Sequence, residues 1–429
     1  MCATLYTLGA FVLILILARL KVPLALAILI GSITIGLFFQ ATVSEILIAI
    51  AEGTVQLRTI GLVIITIFIL TLSAIMDSTG QLGEIVSLAN KLFRRPVFAM
   101  SALPALIGLL PMPGGALFSA PMVRSASGDR ASGVKLSAIN YWYRHIWEHW
   151  WPLYPGVILA VTLTGLNYYE FVMYQMPLGL FMVCTGILLF RGLHPELHVS
   201  SAAPAKGTKR RFIVATSPIW LIIVVWICVS MMFRVFILPA LSIEPTAVLE
   251  KYLPLGIGLA ASIIITGLAR GLGAGNIAKL IKRKEIWKLV ILVVTVMVFQ
   301  RMLTSVKAAE RISQELVALN VPVILVAAIL PFIAGLVTGL AIGFVGTSFP
   351  IVLALIAASE IGPIYPYVAL AYGFGHLGQM VSPIHLCYVV SNEYFNAPFG
   401  QVYRWMLPTF IANAVLVMGY FFVLKGLSL

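Results

Sequence analysis

The sequence predicts an all-α polytopic membrane protein, with about ten transmembrane helices and two re-entrant helical hairpins in two inverted-topology repeats. Three observations support this fold class. Of the 429 residues 61% are hydrophobic and only 10% are charged, whereas soluble domains carry about 25% charged residues. Two apolar segments are interrupted by proline and glycine, and a pattern of residues in the first half of the chain recurs in the second.

Apolar runs long enough to cross a bilayer recur along the chain. The predicted spans cover residues 4–19, 22–39, 58–77, 137–166, 169–190, 212–236, 251–269, 286–304, 365–391 and 404–425. The first run, Leu5–Leu20, lacks a basic n-region and a small-residue cleavage site, so we expect a retained helix and not a signal peptide. Cysteines lie in or beside apolar runs without metal-type spacing, which predicts inert packing thiols. They are Cys2, Cys184, Cys228 and Cys387.

Basic residues predict the orientation of the chain. The loops 191–211 and 270–288 are rich in Lys and Arg, and two predicted helices separate them, so both are expected to face the cytoplasm. The net charge of +13 lies in short loops between apolar segments. That distribution argues against a nucleic-acid partner and is typical of a protein whose main surroundings are the lipid bilayer.

The segment 96–123 is predicted to enter and leave the membrane on one side. It follows Arg94-Arg95 and ends next to Arg124, so a single crossing would put one basic cluster outside. Its middle reads LLPMPGG, in which proline and glycine interrupt a helix. We therefore expect a re-entrant hairpin that opens to the cytoplasm. The alternative is one kinked spanning helix.

An internal repeat relates the two halves of the chain. The stretch LPALIGLLPMPGGALFSAPMV (103–123) matches LPFIAGLVTGLAIGFVGTSFPIV (330–352), and Tyr141, His145 and Pro152 match Tyr372, His376 and Pro383 at one constant offset. The predicted units are a first repeat over 1–190, a cytoplasmic linker over 191–211 and a second repeat over 212–429. Five spans per half are an odd number, so the second half is expected to be inverted, with its hairpin 321–357 opening outside.

Taken with the hairpin LPMPGGALFSAP and the helix YRHIWEHWWPLYP, the sequence resembles the ion-transporter superfamily of secondary transporters. That group includes citrate, gluconate and divalent-anion symporters and some sodium/proton antiporters, and the chain is most similar to one of its prokaryotic families with a similar hairpin motif. The resemblance implies an elevator-type transporter in the inner membrane of a prokaryote, usually a homodimer, with substrate held between two hairpin tips and two interrupted helices. The Ser-Asn-Thr tip motif of the divalent-anion symporters is absent, which weighs against a dicarboxylate substrate.

The hairpin tips are candidate binding elements. Glycines allow a ligand to approach backbone N–H groups, Ser119 adds a hydroxyl group, and a half-helix from Ala116 onward presents a positive N-terminus. The candidate residues are Pro113, Gly114, Gly115 and Ser119 in the first hairpin and Gly343, Gly346, Thr347 and Ser348 in the second. The alternative is that these glycines only allow close helix packing.

The helix opening with NYWYRHIWEHWWPLYP (140–155) carries the charged candidates. Arg144 is predicted to neutralise an anionic substrate, and Glu148 or a histidine to carry a coupling proton, because ionisable groups at membrane depth are costly and face the interior. One alternative is that Arg144 and Glu148 pair only with each other, which would offset the cost of their burial. Another is that this helix begins at the lipid headgroups, where its tryptophans form an aromatic belt. The predicted substrate- or ion-binding residues here and in the partner helix are Asn140, Tyr141, Arg144, Gln379 and Ser382, and the predicted coupling residues are His145, Glu148, His149 and His376.

The expected function is secondary active transport of a small organic, carboxylate-like anion, coupled to H⁺ or Na⁺. No cofactor is expected, apart from Na⁺ as a possible coupling ion, and no enzymatic activity. The alternative is a cation/proton antiporter. A third, less favoured hypothesis takes His145, Glu148 and His149 as the H-x-x-E-H motif of a zinc metalloprotease, although no third ligand follows nearby.

Overall fold

Helices make up the regular secondary structure in the part of the chain that the structure describes. A computed structural model describes residues 2–93, 96–109, 111, 115–127, 131–192, 207–237, 252–308, 311–312, 315, 322–359 and 362–427. The helices in the first half are α1 (Cys2–Arg19), α2 (Leu24–Phe38), α3 (Val43–Val55), α4 (Leu57–Ser78), α5 (Gln81–Leu92), α6 (Pro96–Gly108), α7 (Ala116–Ser127), α8 (Gly133–Arg144), α9 (Pro155–Thr164) and α10 (Tyr168–Gly186). Those in the second half are α11 (Thr208–Met232), α12 (Leu253–Ala269), α13 (Ala274–Ile281), α14 (Lys284–Ser305), α15 (Val323–Thr338), α16 (Ala341–Ala358), α17 (Tyr365–Val381), α18 (Leu386–Tyr394) and α19 (Phe399–Leu427).

Within the described residues, five helical segments are long and apolar enough to cross a membrane. They are Leu57–Ser78, Tyr168–Phe190, Thr208–Ile237, Lys284–Ser305 and Phe399–Leu427. Each coincides with a predicted span. The predicted spans 4–19, 22–39 and 251–269 correspond to the shorter apolar helices α1, α2 and α12.

The remaining predicted spans, 137–166 and 365–391, are each broken in two. The first consists of α8, a stretch of turns over 145–154, and α9. The second consists of α17, an irregular stretch over 382–385, and α18. Proline causes both breaks, because it removes a backbone donor and disfavours helical geometry in the residue before it. Ser382, directly before Pro383, accordingly has extended φ and ψ of −68° and 125°.

The segments predicted to be hairpins form two pairs of short helices, α6 with α7 and α15 with α16, and the members of each pair pack on each other. At 1.5 Å per residue, α6 is about 20 Å long, which is too short for a bilayer core of about 30 Å. The turn of the second pair lies at Gly339 and Leu340, where Gly339 adopts a left-handed φ of 63°. The predicted tip residues Pro113 and Gly114 of the first pair lie outside the described residues.

The structure also contains short helices that were not among the predicted spans. Helix α3 begins with a capping box between Thr42 and Glu45, and α13 lies in the basic loop after α12. Helix α5 follows α4, and its N-cap is Gly80 with a φ of 69°. Asp77 lies within α4 and pairs with Arg283 at 4.0 Å.

Each hairpin packs on both broken helices. Helix α7 contacts α8 and α18, while α16 contacts α17 and α9. Glycines allow the closest approaches: a Cβ on Gly378 would collide with the carbonyl oxygen of Phe332, and one on Gly108 would collide with that of Arg144. The hairpins and the broken segments therefore form one interlocked unit around the two helix breaks.

Candidate functional site

The two helix breaks lie next to each other in the interior and are joined by a reciprocal pair of tyrosines. Tyr141 donates from its hydroxyl group to the carbonyl oxygen of Met380 at 3.0 Å, and Tyr372 donates to that of Glu148 at 2.8 Å. Tyr141 and Tyr372 are repeat partners in the sequence, and both are fully buried. Each half of the chain thus supplies a tyrosine whose hydroxyl group donates a hydrogen bond to the backbone at or beside the helix break of the other half.

The carboxylate of Glu148 lies between the two repeat-related histidines. Its Oε2 accepts a hydrogen bond from Gln379 Nε2 at 2.7 Å and lies 3.4 Å from His376 Nε2, while Oε1 lies 3.8 Å from His145 Nε2. Gln379 follows Glu148 at the same offset as His376 follows His145. The acidic side chain of Glu148 is therefore held by the neutral side chain at the matching position of the other half of the chain.

The histidines of the site have different partners. His145 Nδ1 lies 2.6 Å from the carbonyl oxygen of Tyr141, and its Nε2 lies 3.0 Å from His385 Nε2. His149 instead packs against His376, with ring centroids 4.1 Å apart and the ring planes tilted by 47°. Because a carbonyl oxygen only accepts, Nδ1 of His145 carries a proton, and Nε2 of the neutral ring presents its lone pair toward His385.

A cavity of about 160 Å³ opens between the breaks and the hairpin turns. Both hairpins contribute to its walls, through Pro111 in the first and Gly339, Leu340, Ala341 and Ile342 in the second. The residues in and beside the first break are Arg144, His145, Glu148, Tyr154, Pro155 and Gly156, and those in and beside the second are Gln379, His385, Leu386 and Cys387. Two apolar residues, Leu70 of α4 and Leu289 of α14, complete the walls.

Three helices begin at this cavity: α9 at Pro155, α16 at Ala341 and α18 at Leu386. The N-terminus of a helix carries unpaired backbone N–H groups and a partial positive charge. Arg144, which is 3% exposed, adds a guanidinium group to the same wall. The cavity therefore presents converging positive potential beside a single carboxylate, that of Glu148.

The structure brings some of the predicted site residues to the cavity and places others around it. Arg144, His145, Glu148 and Gln379 line it. Ser119 and Asn140 lie in a separate buried network, in which Ser119 donates to Asn140 Oδ1 at 2.6 Å and Asn140 donates to Ser391 Oγ at 2.9 Å. That network joins α7, α8 and α18. The other predicted residues around the site are Tyr141, His149, His376 and Ser382, all buried, and Gly115 directly precedes α7.

The prediction that residues 343–348 form the tip of the second hairpin is wrong in position. Gly343, Gly346, Thr347 and Ser348 lie inside α16, after a turn at Gly339. The hydroxyl groups of Thr347 and Ser348 donate to the carbonyl oxygens of Gly343 and Phe344 at 2.7 and 2.6 Å, within their own helix. A continuous helix uses these backbone groups internally, so the ligand-facing turn comes earlier.

Sequence reasoning missed the contribution of His385 and Cys387. His385 follows Pro383 by two residues, a position that could have identified it, because an ionisable side chain at membrane depth is costly and faces the protein interior. Cys387 was expected to be an inert packing thiol, yet it lines the cavity beside His145 and His385. Cys184 and Cys228, in contrast, are exposed on the outside of α10 and α11.

The H-x-x-E-H sequence does not form the helical arrangement that its zinc motif requires. Two histidines at i and i+4 share a helix face only if the helix continues through them, and α8 ends at Arg144. As a result, His145 faces His385, whereas His149 packs against His376.

A second cavity of about 240 Å³ adjoins the first, and the two share Leu70, Pro111 and Leu289. It leads past Phe118 to the polar residues Asp77, Arg283 and Glu285. Arg283 and Glu285 belong to the loop region 270–288, which is the basic loop predicted to face the cytoplasm.

Comparison with known proteins identifies both a family and a fold. The family model described as "Protein of unknown function (DUF401)" matches residues 2–424. A solved structure of the YdaH transporter from Alcanivorax borkumensis matches with a TM-score of 0.59 at 15% identity, over 88% of this chain and 86% of that one. Among curated proteins, none matches the chain.

Proposed function

We propose that this chain, which belongs to the DUF401 family, is a secondary active transporter that moves a small organic, carboxylate-like anion across the membrane. The observation that carries the proposal is the cavity between two hairpin turns and two helix breaks, lined by Arg144 and by the starts of α9, α16 and α18. Helix N-termini and a guanidinium group are donors that suit a carboxylate. The similarity of the fold to that of the YdaH transporter supports the same proposal.

The two halves are proposed to be inverted repeats, with α6–α7 and α15–α16 as re-entrant hairpins that enter the membrane from opposite sides. Their matching breaks, their matching hairpins and the reciprocal contacts of Tyr141 and Tyr372 support this assignment. The proposed count of ten spans then includes α8–α9 and α17–α18 as two interrupted crossings. Interrupted helices meeting at mid-membrane are typical of alternating-access transporters.

Transport is proposed to follow an elevator mechanism in a homodimer of a prokaryotic inner membrane. The hairpins and broken helices would move as a unit against the walls supplied by Leu70 and Leu289, whose apolar side chains offer few bonds to break during sliding. The second cavity leads from the site toward Arg283 and Glu285. We therefore assign the present conformation to the inward-facing state.

The coupling ion is proposed to be H⁺ or Na⁺, held near Glu148, whose carboxylate is buried and borders the cavity. A cation at this carboxylate would offset its charge and allow an anion to bind beside Arg144. The buried histidines His145, His149 and His376 surround the same position.

Uptake into proteoliposomes tests the proposal. The purified full-length chain is reconstituted, proton and sodium gradients are imposed separately, and a panel of labelled mono-, di- and tricarboxylates is supplied. Accumulation of at least one carboxylate that depends on one gradient supports the proposal, and empty liposomes provide the control. If no organic anion accumulates and a sodium gradient instead drives proton movement, the antiporter alternative replaces it.

A further inference from the structure

The cavity wall contains a cluster of ligand atoms that the proposed transport of an anion does not use. The side chains of His145, His385 and Cys387 are all buried, and one ligand atom from each lies within 4.8 Å of the others. We propose that these residues form a binding site for a divalent transition-metal ion of the Zn²⁺ type. The proposal does not rest on the transport function, because it concerns the binding of a metal ion alone.

The two imidazole rings already face each other as a pair of metal ligands would. His145 Nε2 and His385 Nε2 are 3.0 Å apart. Two nitrogens bound to one tetrahedral Zn²⁺ at about 2.0–2.1 Å lie about 3.3 Å from each other. A small outward movement of either ring therefore makes room for the ion between them.

The orientation of His145 is also typical of a metal ligand. Its Nδ1–H donates to the carbonyl oxygen of Tyr141 at 2.6 Å, which leaves the lone pair of Nε2 directed into the cluster. Histidines that bind metals commonly donate their other ring proton to a carbonyl or carboxylate oxygen, and this contact fixes the tautomer and the direction of the ring.

The ligand set and its charge favour a borderline-soft ion. Two imidazoles and one thiolate suit zinc, cobalt, nickel and copper, and exclude magnesium and calcium, which prefer oxygen ligands. Binding releases the thiol proton of Cys387 to solvent through the cavity, so the sulfur binds as thiolate, and the ring proton of His385 shifts from Nε2 to Nδ1, so that Nε2 can bind the ion. The thiolate and the nearby carboxylate of Glu148 offset the charge of the ion and of Arg144. Three protein ligands leave one position for a ligand from the cavity.

Metal binding to the purified full-length chain in detergent tests this inference. We expect one Zn²⁺ per chain after dialysis against a weak chelator. Co²⁺ bound in its place should show the near-ultraviolet thiolate-to-cobalt absorption that reports a sulfur ligand. Cys387→Ser should abolish that absorption and weaken Zn²⁺ binding about tenfold or more, and His385→Ala should weaken it similarly. Cys184→Ser, at an exposed cysteine, is the matched control and should leave both measurements unchanged.

The inference is overturned if the wild-type chain binds no stoichiometric Zn²⁺ and its Co²⁺ form shows no sulfur absorption, since the His145–His385 contact is then only a hydrogen bond. It also fails if Zn²⁺ binding survives in both Cys387→Ser and His385→Ala, or if His149→Ala alone removes it. The wild-type spectrum decides the question even if a variant does not fold. Anion uptake without metal binding refutes only this inference, and metal binding without anion uptake refutes only the proposed function.

Discussion

At the scale of single residues, Arg144 contributes a guanidinium group to the wall of the cavity in which we propose that an anion binds. It ends α8 and lines the wall while remaining buried. In such a site a guanidinium can bind a carboxylate through two parallel hydrogen bonds, and charged hydrogen bonds contribute about 1.5–3 kcal/mol each.

Arg144→Gln is therefore expected to weaken anion binding about tenfold or more. Calorimetry or a binding-dependent thermal shift on purified protein measures the change. Arg301→Gln is the matched control, because Arg301 pairs with Glu52 on the surface and its side chain is 37% exposed. Equal anion affinity in Arg144→Gln and in wild type would remove Arg144 from the site.

Glu148 and Gln379 are matched by the same sequence offset as His145 and His376, and one substitution makes the first two side chains alike. Glu148→Gln removes the carboxylate but keeps the size of the side chain, and we expect uptake to lose its dependence on the imposed cation gradient. Proteoliposome uptake with and without the gradient measures this effect. Glu52→Gln, which removes a carboxylate from an exposed pair, should retain the dependence. Gradient-driven accumulation by Glu148→Gln would refute the assignment of coupling to Glu148.

At the scale of helices, close glycine contacts hold the second hairpin on its broken helix. Gly378 of α17 faces the backbone of Phe332 in α15, and the Cβ of an alanine at this position would overlap the carbonyl oxygen. A backbone carbonyl group cannot move aside as easily as the end of a flexible side chain, so α15 and α17 would have to move apart.

Gly378→Ala is expected to lower the free energy of unfolding by about 1–3 kcal/mol, measured by thermal denaturation in detergent. Gly419→Ala in α19 is the matched control, because an added Cβ there meets no atom within 4 Å. Alanine in a helix interior should stabilise the control by about 0.5–1 kcal/mol. Equal stabilities of the two variants would show that the hairpin is packed differently.

Helix α5 is tied to the helices beside it by an ion-pair network at Glu84. Arg270 and Arg211 donate to its carboxylate at 3.0 and 3.3 Å. The hydrogen bond from Arg270 has the largest effect and lowers the pKa of Glu84 below its ordinary value of 4.5. Burial opposes this effect, and the hydrogen bond from Arg211 and the charges of both arginines add to the lowering.

A lowered pKa means that the network stabilises the protein above the pH at which an unfolded glutamate titrates. The stabilisation is lost as the pH falls from 4.5 through the lowered value. Wild type should therefore exceed Glu84→Gln in stability by about 0.2–1 kcal/mol at neutral pH. Thermal denaturation across a pH series measures the difference, which should shrink under acid conditions. A constant difference down to low pH would contradict the electrostatic origin.

At the scale of the whole molecule, the second cavity predicts the side on which the proposed site is open. Phe118, Arg283 and Glu285 line this cavity. With the native cysteines Cys2, Cys184, Cys228 and Cys387 replaced by serine, Phe118→Cys should react with a membrane-impermeant maleimide from the cytoplasmic side and not from the other side. Lys279→Cys, in the basic loop 270–288, marks the cytoplasmic face as a control. Labelling of Phe118→Cys only from the opposite face would reverse the assigned state.

Much of the fold follows from local sequence signals. Long apolar runs predicted α4, α10, α11, α14 and α19, because apolar length acts within a few residues. Pro152 and Pro383 each lie in one of the two breaks, where a missing backbone donor also acts locally. The position of the second hairpin turn was missed by several residues. Several glycines there could each form a turn, and packing against Ser382 and His385 selects Gly339.

The sequence by itself determined that the chain is helical and apolar, and that it repeats a broken helix in which the charge lies in one copy. Only the tertiary structure decided which side chains meet. It placed Gln379 on Glu148, His385 on His145, and Cys387 in the cavity wall, across more than 200 positions of the chain. The physical reason is the separation along the chain of the residues that interact. Helix formation and interruption depend on neighbouring residues, whereas a binding site depends on close packing between segments that are far apart in the chain.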